Sequence, residues 1–98
     1  MEQGPINGAI KQTVTSVGTT ATALPATTLA GRRTMLVHND GAVIVYLGDS
    51  TVTADDTAAT GGYELAAGAE KAFDIGKSVV LYGRTASGTA NVKTFEGA

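Results

Sequence analysis

The feature that most constrains the fold of this chain is a series of short, β-branched or apolar runs separated by glycine-rich turns. The clearest runs are residues 32–38 (RRTMLVH), 43–47 (VIVYL), 78–84 (SVVLYGR) and 90–95 (ANVKTF). Threonine and valine suit a pleated surface, and 13 glycines punctuate the sequence. No segment keeps its apolar residues at helical spacing for three turns. The pattern therefore predicts an all-β protein.

Together with the weaker runs, we predict seven or eight short strands in an antiparallel β-sandwich or jelly-roll-like barrel. The Asp40-Gly41 pair predicts a tight hairpin between residues 32–38 and 43–47, because both residue types tolerate a positive φ. The expected strands are residues 11–17, 20–24, 32–38, 43–47, 63–65, 69–75, 78–84 and 90–95. The long polar loop 48–62 is expected to be functional, to be disordered or to contain a short strand at 51–53.

The chain divides into an arm and one domain. Residues 1–10 (MEQGPINGAI) contain two glycines and a proline without periodicity, so we predict a flexible N-terminal arm that only a partner would order. Residues 11–98 are predicted to form a single β-sandwich domain. The early Glu2 and the lack of an apolar stretch argue against a signal peptide, and no window reaches the ~18 apolar residues of a membrane span. We expect a protein that is made and kept in a cytoplasm, or in something assembled there.

Charge and cysteine content exclude several function classes. The formal net charge of −2 provides no positive field that would recruit nucleic acid or an anionic membrane. Without cysteine, neither a disulfide framework nor a thiolate metal site can form. Charged residues make up 16% of the chain, which is low for the surface of a small monomer. Part of the surface is therefore expected to be covered by something else.

The strand at 43–47 is apolar on both faces. Val43, Val45 and Leu47 point one way, whereas Ile44 and Tyr46 point the other. A sandwich buries only one face of each strand, so a loop, the arm or another subunit should cover the second. We expect an oligomer on this ground.

Gly48-Asp49-Ser50 is the stretch that most suggests an enzyme, since this tripeptide carries the nucleophile in one large class of esterases. A serine nucleophile requires a histidine base, and in that class a helix follows it. Here Ser50 is followed by TVTADD, which has no helical pattern, and the single histidine, His38, precedes it. We interpret the stretch as a strand that ends in a turn, and predict no catalytic residue, no cofactor and no small-molecule substrate.

Asp49, Asp55 and Asp56 lie in the long loop 48–62. A weakly bound calcium ion is one interpretation and a solvated acidic loop is the other. Calcium loops alternate their oxygen ligands around an obligatory glycine, and this loop does not, so we predict no metal site. Arg32 and Arg33 are candidates for a carboxylate or phosphate on a partner. Alternatively, one of them is solvated and the other forms a local ion pair.

Several stretches occur in an order that resembles small virion proteins of tailed bacteriophages, of the head decoration or cement type. The resemblance covers roughly residues 12–97 and rests on order and spacing. Its parts are Ala23-Leu24-Pro25, Leu29-Ala30-Gly31-Arg32-Arg33, His38-Asn39-Asp40-Gly41, Val45-Tyr46-Leu47-Gly48, Val52-Thr53, Gly62-Tyr63-Glu64-Leu65, Ala67-Gly68-Ala69-Glu70, Leu81-Tyr82 and Ala86-Ser87-Gly88-Thr89-Ala90 before Val92.

The resemblance implies a homo-trimer on the outside of the assembled head, where it stabilises the shell by bridging major capsid protein subunits. The protein would be located on the capsid surface of the virion after assembly in the host bacterial cytoplasm. Its partners would include no nucleic acid and no membrane. Ile6 and Ile10 of the arm, with Arg32 and Arg33, are the predicted partner-binding residues. The alternative is a structural β-module of a phage tail, fibre or baseplate.

Overall fold

The chain forms eight strands in two four-stranded sheets in the computed structural model, which describes residues 8–55 and 57–98. The described residues include no helix that could cross a membrane. The strands are β1 Ile10–Val17, β2 Thr22–Ala23, β3 Thr34–Asn39, β4 Val45–Gly48, β5 Tyr63–Leu65, β6 Glu70–Phe73, β7 Tyr82–Arg84 and β8 Ala90–Gly97.

The two sheets have a nested strand order. Sheet A runs β1-β8-β3-β6 and sheet B runs β2-β7-β4-β5, with every neighbouring pair antiparallel. The first strand thus pairs with the eighth, the second with the seventh, the third with the sixth and the fourth with the fifth. This nesting is the topology of an eight-stranded jelly roll. The predicted all-β sandwich is confirmed.

The core lies between the sheets and follows from strand alternation. In β8, Val92, Thr94 and Glu96 are buried, whereas the residues between them are exposed. In β4, Val45 and Leu47 face the same interior from sheet B. The buried core comprises Val17, Leu24, Met35, Val37, Val45, Leu47, Leu65, Ala90 and Val92, with Val43, Ala69, Phe73, Ile75 and Leu81 packed against it.

The hairpin predicted at Asp40-Gly41 is wrong, because β3 belongs to sheet A and β4 to sheet B. The chain crosses between the sheets here, and the buried side chain of Asn39 holds the crossing. Its amide nitrogen donates to the carbonyl oxygens of Val43 (2.8 Å) and Leu65 (2.9 Å), while its oxygen accepts from the Gly41 amide (3.0 Å). A hairpin would have required β3 and β4 to be hydrogen-bonded neighbours in one sheet.

The strand predicted at 78–84 is also shorter than expected. Only Tyr82–Arg84 form the strand β7, whereas Val79 and Val80 precede it and are exposed. The Val79 carbonyl accepts a hydrogen bond from the Arg32 guanidinium. That bond diverts the segment from a sheet ladder, so its alternating apolar pattern does not produce a strand.

The second face of β4 is covered by the long loop that follows it. Tyr46 and Val52 are buried, and Gly62 packs so closely against both that a Cβ would not fit there. A parallel bridge between Thr53 and Gly61 closes the loop. Of the three coverings considered from the sequence, the loop covers Tyr46, while Ile44 remains 40% exposed.

The connections fall into two groups at opposite ends of the sandwich. One end carries the short connections 18–21, 40–44, 66–69 and 85–89, joined by hydrogen bonds such as that from the Thr85 amide to the Gly18 carbonyl. The other end carries the long connections 24–33, 49–62 and 74–81, together with the start of β1. Three of the residues predicted to bind a partner belong to this long-loop end.

Candidate docking face

Arg32 is buried, with 3% of its surface exposed, and its guanidinium is fully used inside the chain. Nη1 forms an ion pair with Glu96 at 2.9 Å. The other nitrogens donate to the carbonyl oxygens of Ile75, Gly76 and Val79. A side chain bonded in this way offers no free donor to a partner, so the assignment of Arg32 as a partner-binding residue is corrected. The alternative interpretation, a local ion pair for one arginine, describes Arg32.

Ile10 and Arg33 are brought together on either side of Gly97. Ile10 is the first residue of β1 and lies opposite Gly97 on one side, while the Arg33 amide donates to the Gly97 carbonyl on the other at 2.8 Å. Both residues are exposed, Ile10 by 56%. Ile10 therefore belongs to the sheet and not to the predicted arm. Both remain predicted partner contacts, and Ile6 lies outside the described residues.

The outer face of sheet A continues from Ile10 as an apolar surface. Val14 is 60% exposed and Phe95 is 42% exposed, and Leu36 lies directly opposite Phe95 across the β3–β8 pair. Gln12 lies opposite Phe95 on the other side. These side chains line an open groove of about 430 Å³. We call Ile10, Gln12, Val14, Leu36 and Phe95 the outer face of sheet A.

A charged row borders this face on the side of the short connections. His38 on β3 lies between two carboxylates, with Nε2 3.9 Å from Asp40 and Nδ1 3.6 Å from Glu70. Lys93 on β8 lies opposite His38 and approaches Asp40 at 3.5 Å. All four side chains are partly exposed, so these pairs contribute little to stability. Because the row combines basic and acidic side chains, it creates no strong electrostatic field.

Sequence reasoning did not single out Val14, Leu36 or Phe95. The signal was available for β8, where Val92, Thr94 and Glu96 alternate with Asn91, Lys93 and Phe95. Once Val92 is assigned to the core, Phe95 must point outward. The segment 90–95 does not reveal by itself which alternate set faces the core. Packing against sheet B decides which set faces the core.

Ser50 lies in the turn after β4 and is exposed. Its neighbour Asp49 accepts hydrogen bonds from the backbone amide and hydroxyl of Thr51, at 2.9 and 2.6 Å. The only histidine, His38, lies on sheet A between Asp40 and Glu70. This local arrangement is that of a side-chain-capped turn, as interpreted from the sequence.

Hydrogen bonds also determine the ionisation of the acidic loop. The hydroxyl and amide of Thr51 hold the pKa of Asp49 below its ordinary value, and the amide and hydroxyl of Thr57 do the same for the pKa of Asp55. Within residues 8–55 and 57–98, no group of three or more histidine or acidic side chains is placed to hold a metal ion. The hydrogen bonds from Thr51 and Thr57 make Asp49 and Asp55 turn caps.

Comparisons of the chain with protein-family models, with curated proteins and with solved structures find no match.

Proposed function

We propose that this protein decorates the outside of a bacteriophage head and stabilises the shell by bridging major capsid protein subunits. The observation that supports it best is the outer face of sheet A, which is apolar and exposed beside the long-loop end. Ile10, Val14 and Phe95 each leave between 42% and 60% of their surface in solvent. Adjoining apolar side chains exposed in this way are typical of a surface that binds another protein.

The fold supports the proposal at a coarser level. Jelly rolls occur in viral capsid domains, and also in lectins and cupins, so the topology alone assigns no function. The sequence resemblance to decoration proteins provides the choice among these classes. The outer face and the neighbouring Arg33 provide the surface with which such a protein would bind the shell.

The mechanism is selective binding to the assembled state. A protein that contacts neighbouring capsid subunits across their boundary binds the closed shell and not its separated parts. Its binding free energy therefore adds to the cost of disassembly. Because many symmetric copies bind one shell, a modest contact at each site is multiplied.

The test is to add the purified protein to expanded heads that lack it and to examine them by electron microscopy. We expect additional density on the outer surface of the shell and greater resistance of decorated heads to heat. Density on tails instead would support a tail or baseplate module. Absence of density from both structures, with folded protein in excess, would contradict the proposal.

A pair of variants tests the face itself. Phe95→Lys places a charge at the centre of the apolar face, and we expect it to reduce head binding at least about tenfold. Asn91→Lys is the matched control, because Asn91 is an exposed polar residue on the same face of β8. Equal binding by both variants would show that the outer face of sheet A is not the docking surface.

A further inference from the structure

β1 is the one long sheet edge in the described chain, and it lacks the usual protection against pairing. The edge strands β2, β5 and β6 have two, three and four residues, and β6 carries Glu70 and Lys71. β1 has eight residues, in continuous register with β8 from Ile10 to Val17. Natural edges are usually blunted by shortness, charge, proline or bulges. Within Ile10–Val17 the only charge is Lys11, whose Nζ is bonded to the Thr27 carbonyl.

The hydrogen-bonding groups on the free side of β1 can be identified from the sheet. The Gly97 carbonyl accepts from Arg33, so the backbone groups of Gly97 point towards β3 and away from β1. Ile10, which lies opposite Gly97, must then direct its own amide and carbonyl away from β8. By alternation, the groups pointing to the free edge are those of Ile10, Gln12, Val14 and Ser16. Within the described residues these groups form no hydrogen bond.

We propose that this edge binds the β1 strand of a second copy of the chain, antiparallel and centred on Gln12. In this register Gln12 lies opposite the same residue of the second copy, and Ile10 lies opposite Val14 in both directions. Apolar side chains thus meet apolar ones, and two amides meet at the centre. Lys11 lies opposite Thr13, so no like charges face each other.

Other registers match less well. A shift that centres the pairing on Lys11 would place two ammonium groups opposite each other, which is destabilising. A shift that centres it on Thr13 would pair Val14 with Gln12 and Ile10 with Ser16. A pairing centred on Val14 would place Ile10 opposite Gly18 and so leave it without an apolar partner. Among the registers centred on Lys11, Gln12, Thr13 and Val14, only the one about Gln12 pairs both apolar residues of the exposed face with apolar residues.

The pairing would join two copies of sheet A into one eight-stranded sheet. The outer faces of both copies would then form a continuous apolar surface, with Phe95 and Leu36 of each copy on either side of the central Gln12 pair. Such a dimer would present two copies of the proposed docking face at once, which is the geometry a bridging protein requires. The proposal replaces the trimer implied by the resemblance with a two-fold assembly. It can be tested without capsids, so its failure is distinct from failure of the proposed function.

The first test uses charge at the centre of the pairing. Sedimentation of the unaltered protein should give twice the 9.8 kDa chain mass. Gln12→Lys and Gln12→Glu should each weaken the dimer about tenfold or more, because like charges would meet across the axis. An equimolar mixture of the two variants should restore the dimer. Ser16→Lys, on the same exposed face of β1, is the control and should remain dimeric.

The second test determines the register. The chain has no cysteine, so an introduced one can form a disulfide only with a second copy. Opposite residues of a hydrogen-bonded pair lie about 5.5 Å apart, within disulfide range, so Gln12→Cys should form a dimer on mild oxidation. Ser16→Cys should not, because its two copies would lie about 27 Å apart along the strands. A monomer or trimer in solution, no effect of the Gln12 charges, or equal cross-linking at both positions would overturn the proposal.

Discussion

Arg32 joins parts of the chain that are far apart in sequence. It pairs with Glu96 at the end of β8 and donates to the carbonyl oxygens of the segment 75–79. The second oxygen of Glu96, Oε1, is buried and has no hydrogen-bond partner among the described residues. Since the pair is almost completely buried, loss of the arginine would leave an uncompensated carboxylate in the interior.

Arg32→Ala is therefore expected to lower the free energy of unfolding by about 3–5 kcal/mol. The measurement is urea unfolding followed by circular dichroism. Arg33→Ala is the matched control, because the Arg33 side chain is exposed, and its effect should stay within about 0.5 kcal/mol. Similar losses for both variants would show that the buried ion pair is not what distinguishes the two arginines.

The turn caps of the acidic loop give a prediction about pH. The pKa of Asp49 is lowered from its ordinary value of 3.8 chiefly by the Thr51 hydroxyl. A carboxylate whose folded-state pKa is depressed stabilises its turn above pH 3.8, and that contribution is lost as pH falls through the folded-state pKa. Thr51→Val should raise the pKa of Asp49 towards its ordinary value, as measured by NMR titration of the carboxyl carbon.

Thr57→Val provides the matched control for this experiment. The same change there should raise the pKa of Asp55, whose carboxylate accepts from the Thr57 amide and hydroxyl, and should leave Asp49 unchanged. If Thr51→Val leaves the pKa of Asp49 where it was, the hydroxyl is not the cause of its depression.

At the scale of elements, the crossing from β3 to β4 determines how the sheets are built. Asn39 at the end of β3 is completely buried, and its amide reaches Val43 before β4 and Leu65 in β5. The side chain therefore ties sheet A to the crossing connection and to β5 of sheet B. Gly41 is packed against Ala90, where a Cβ would not fit, so the crossing passes close to the start of β8.

Asn39→Ala should destabilise the fold by more than about 2 kcal/mol. The substitution removes the partners of two carbonyls and one amide, and each buried polar group left unpaired costs about 1–3 kcal/mol. Denaturant unfolding measures the loss. Asn91→Ala, at an exposed position of β8, is the control and should change stability by less than about 0.5 kcal/mol. Equal effects would mean that the Asn39 hydrogen bonds do not hold the crossing.

At the scale of the whole molecule, the start of β1 and the three long connections share one end of the sandwich. Gly8 and Ala9 extend β1 there, through hydrogen bonds between the Gly8 amide and the Ala98 carbonyl and between the Ala98 amide and the Ala9 carbonyl. Residues 8–10 therefore belong to the sheet and not to the arm predicted for residues 1–10. The remaining segment 1–7 contains Ile6, the other predicted anchor.

Deleting residues 1–7 should weaken binding to heads while the free energy of unfolding stays the same. The reason for unchanged stability is that, among the described residues, the first strand begins at Ile10 and the first core residue is Val17, both after the deleted segment. Head binding is measured by co-sedimentation, and stability by urea unfolding. Ile6→Ser in the full chain should reproduce most of the loss of binding. Unchanged binding by both variants would remove Ile6 from the docking contacts.

Local patterns were enough to predict the class and most of the strands. β-branched or apolar runs predicted β1, β3, β4 and β8 to within two residues, because such runs reflect only which neighbours share a face. The weaker runs 63–65 and 69–75 contain β5 and β6. The same reasoning failed for residues 78–81, since a buried arginine from another connection takes the Val79 carbonyl. It also failed for the Asp40-Gly41 turn, since Asn39 forms its bonds across the sheets.

The sequence by itself determined that this protein is all-β, where most of its strands lie, and that the Gly48-Asp49-Ser50 stretch ends a strand in a turn. Only the tertiary structure decided which strands share a sheet, which arginine is buried and which apolar face stays open. Those outcomes depend on pairs such as Leu29 with Glu96, which are 67 residues apart. Local periodicity carries no information about such distant pairs, because the same strand pattern fits several sheet orders until the buried polar groups are paired.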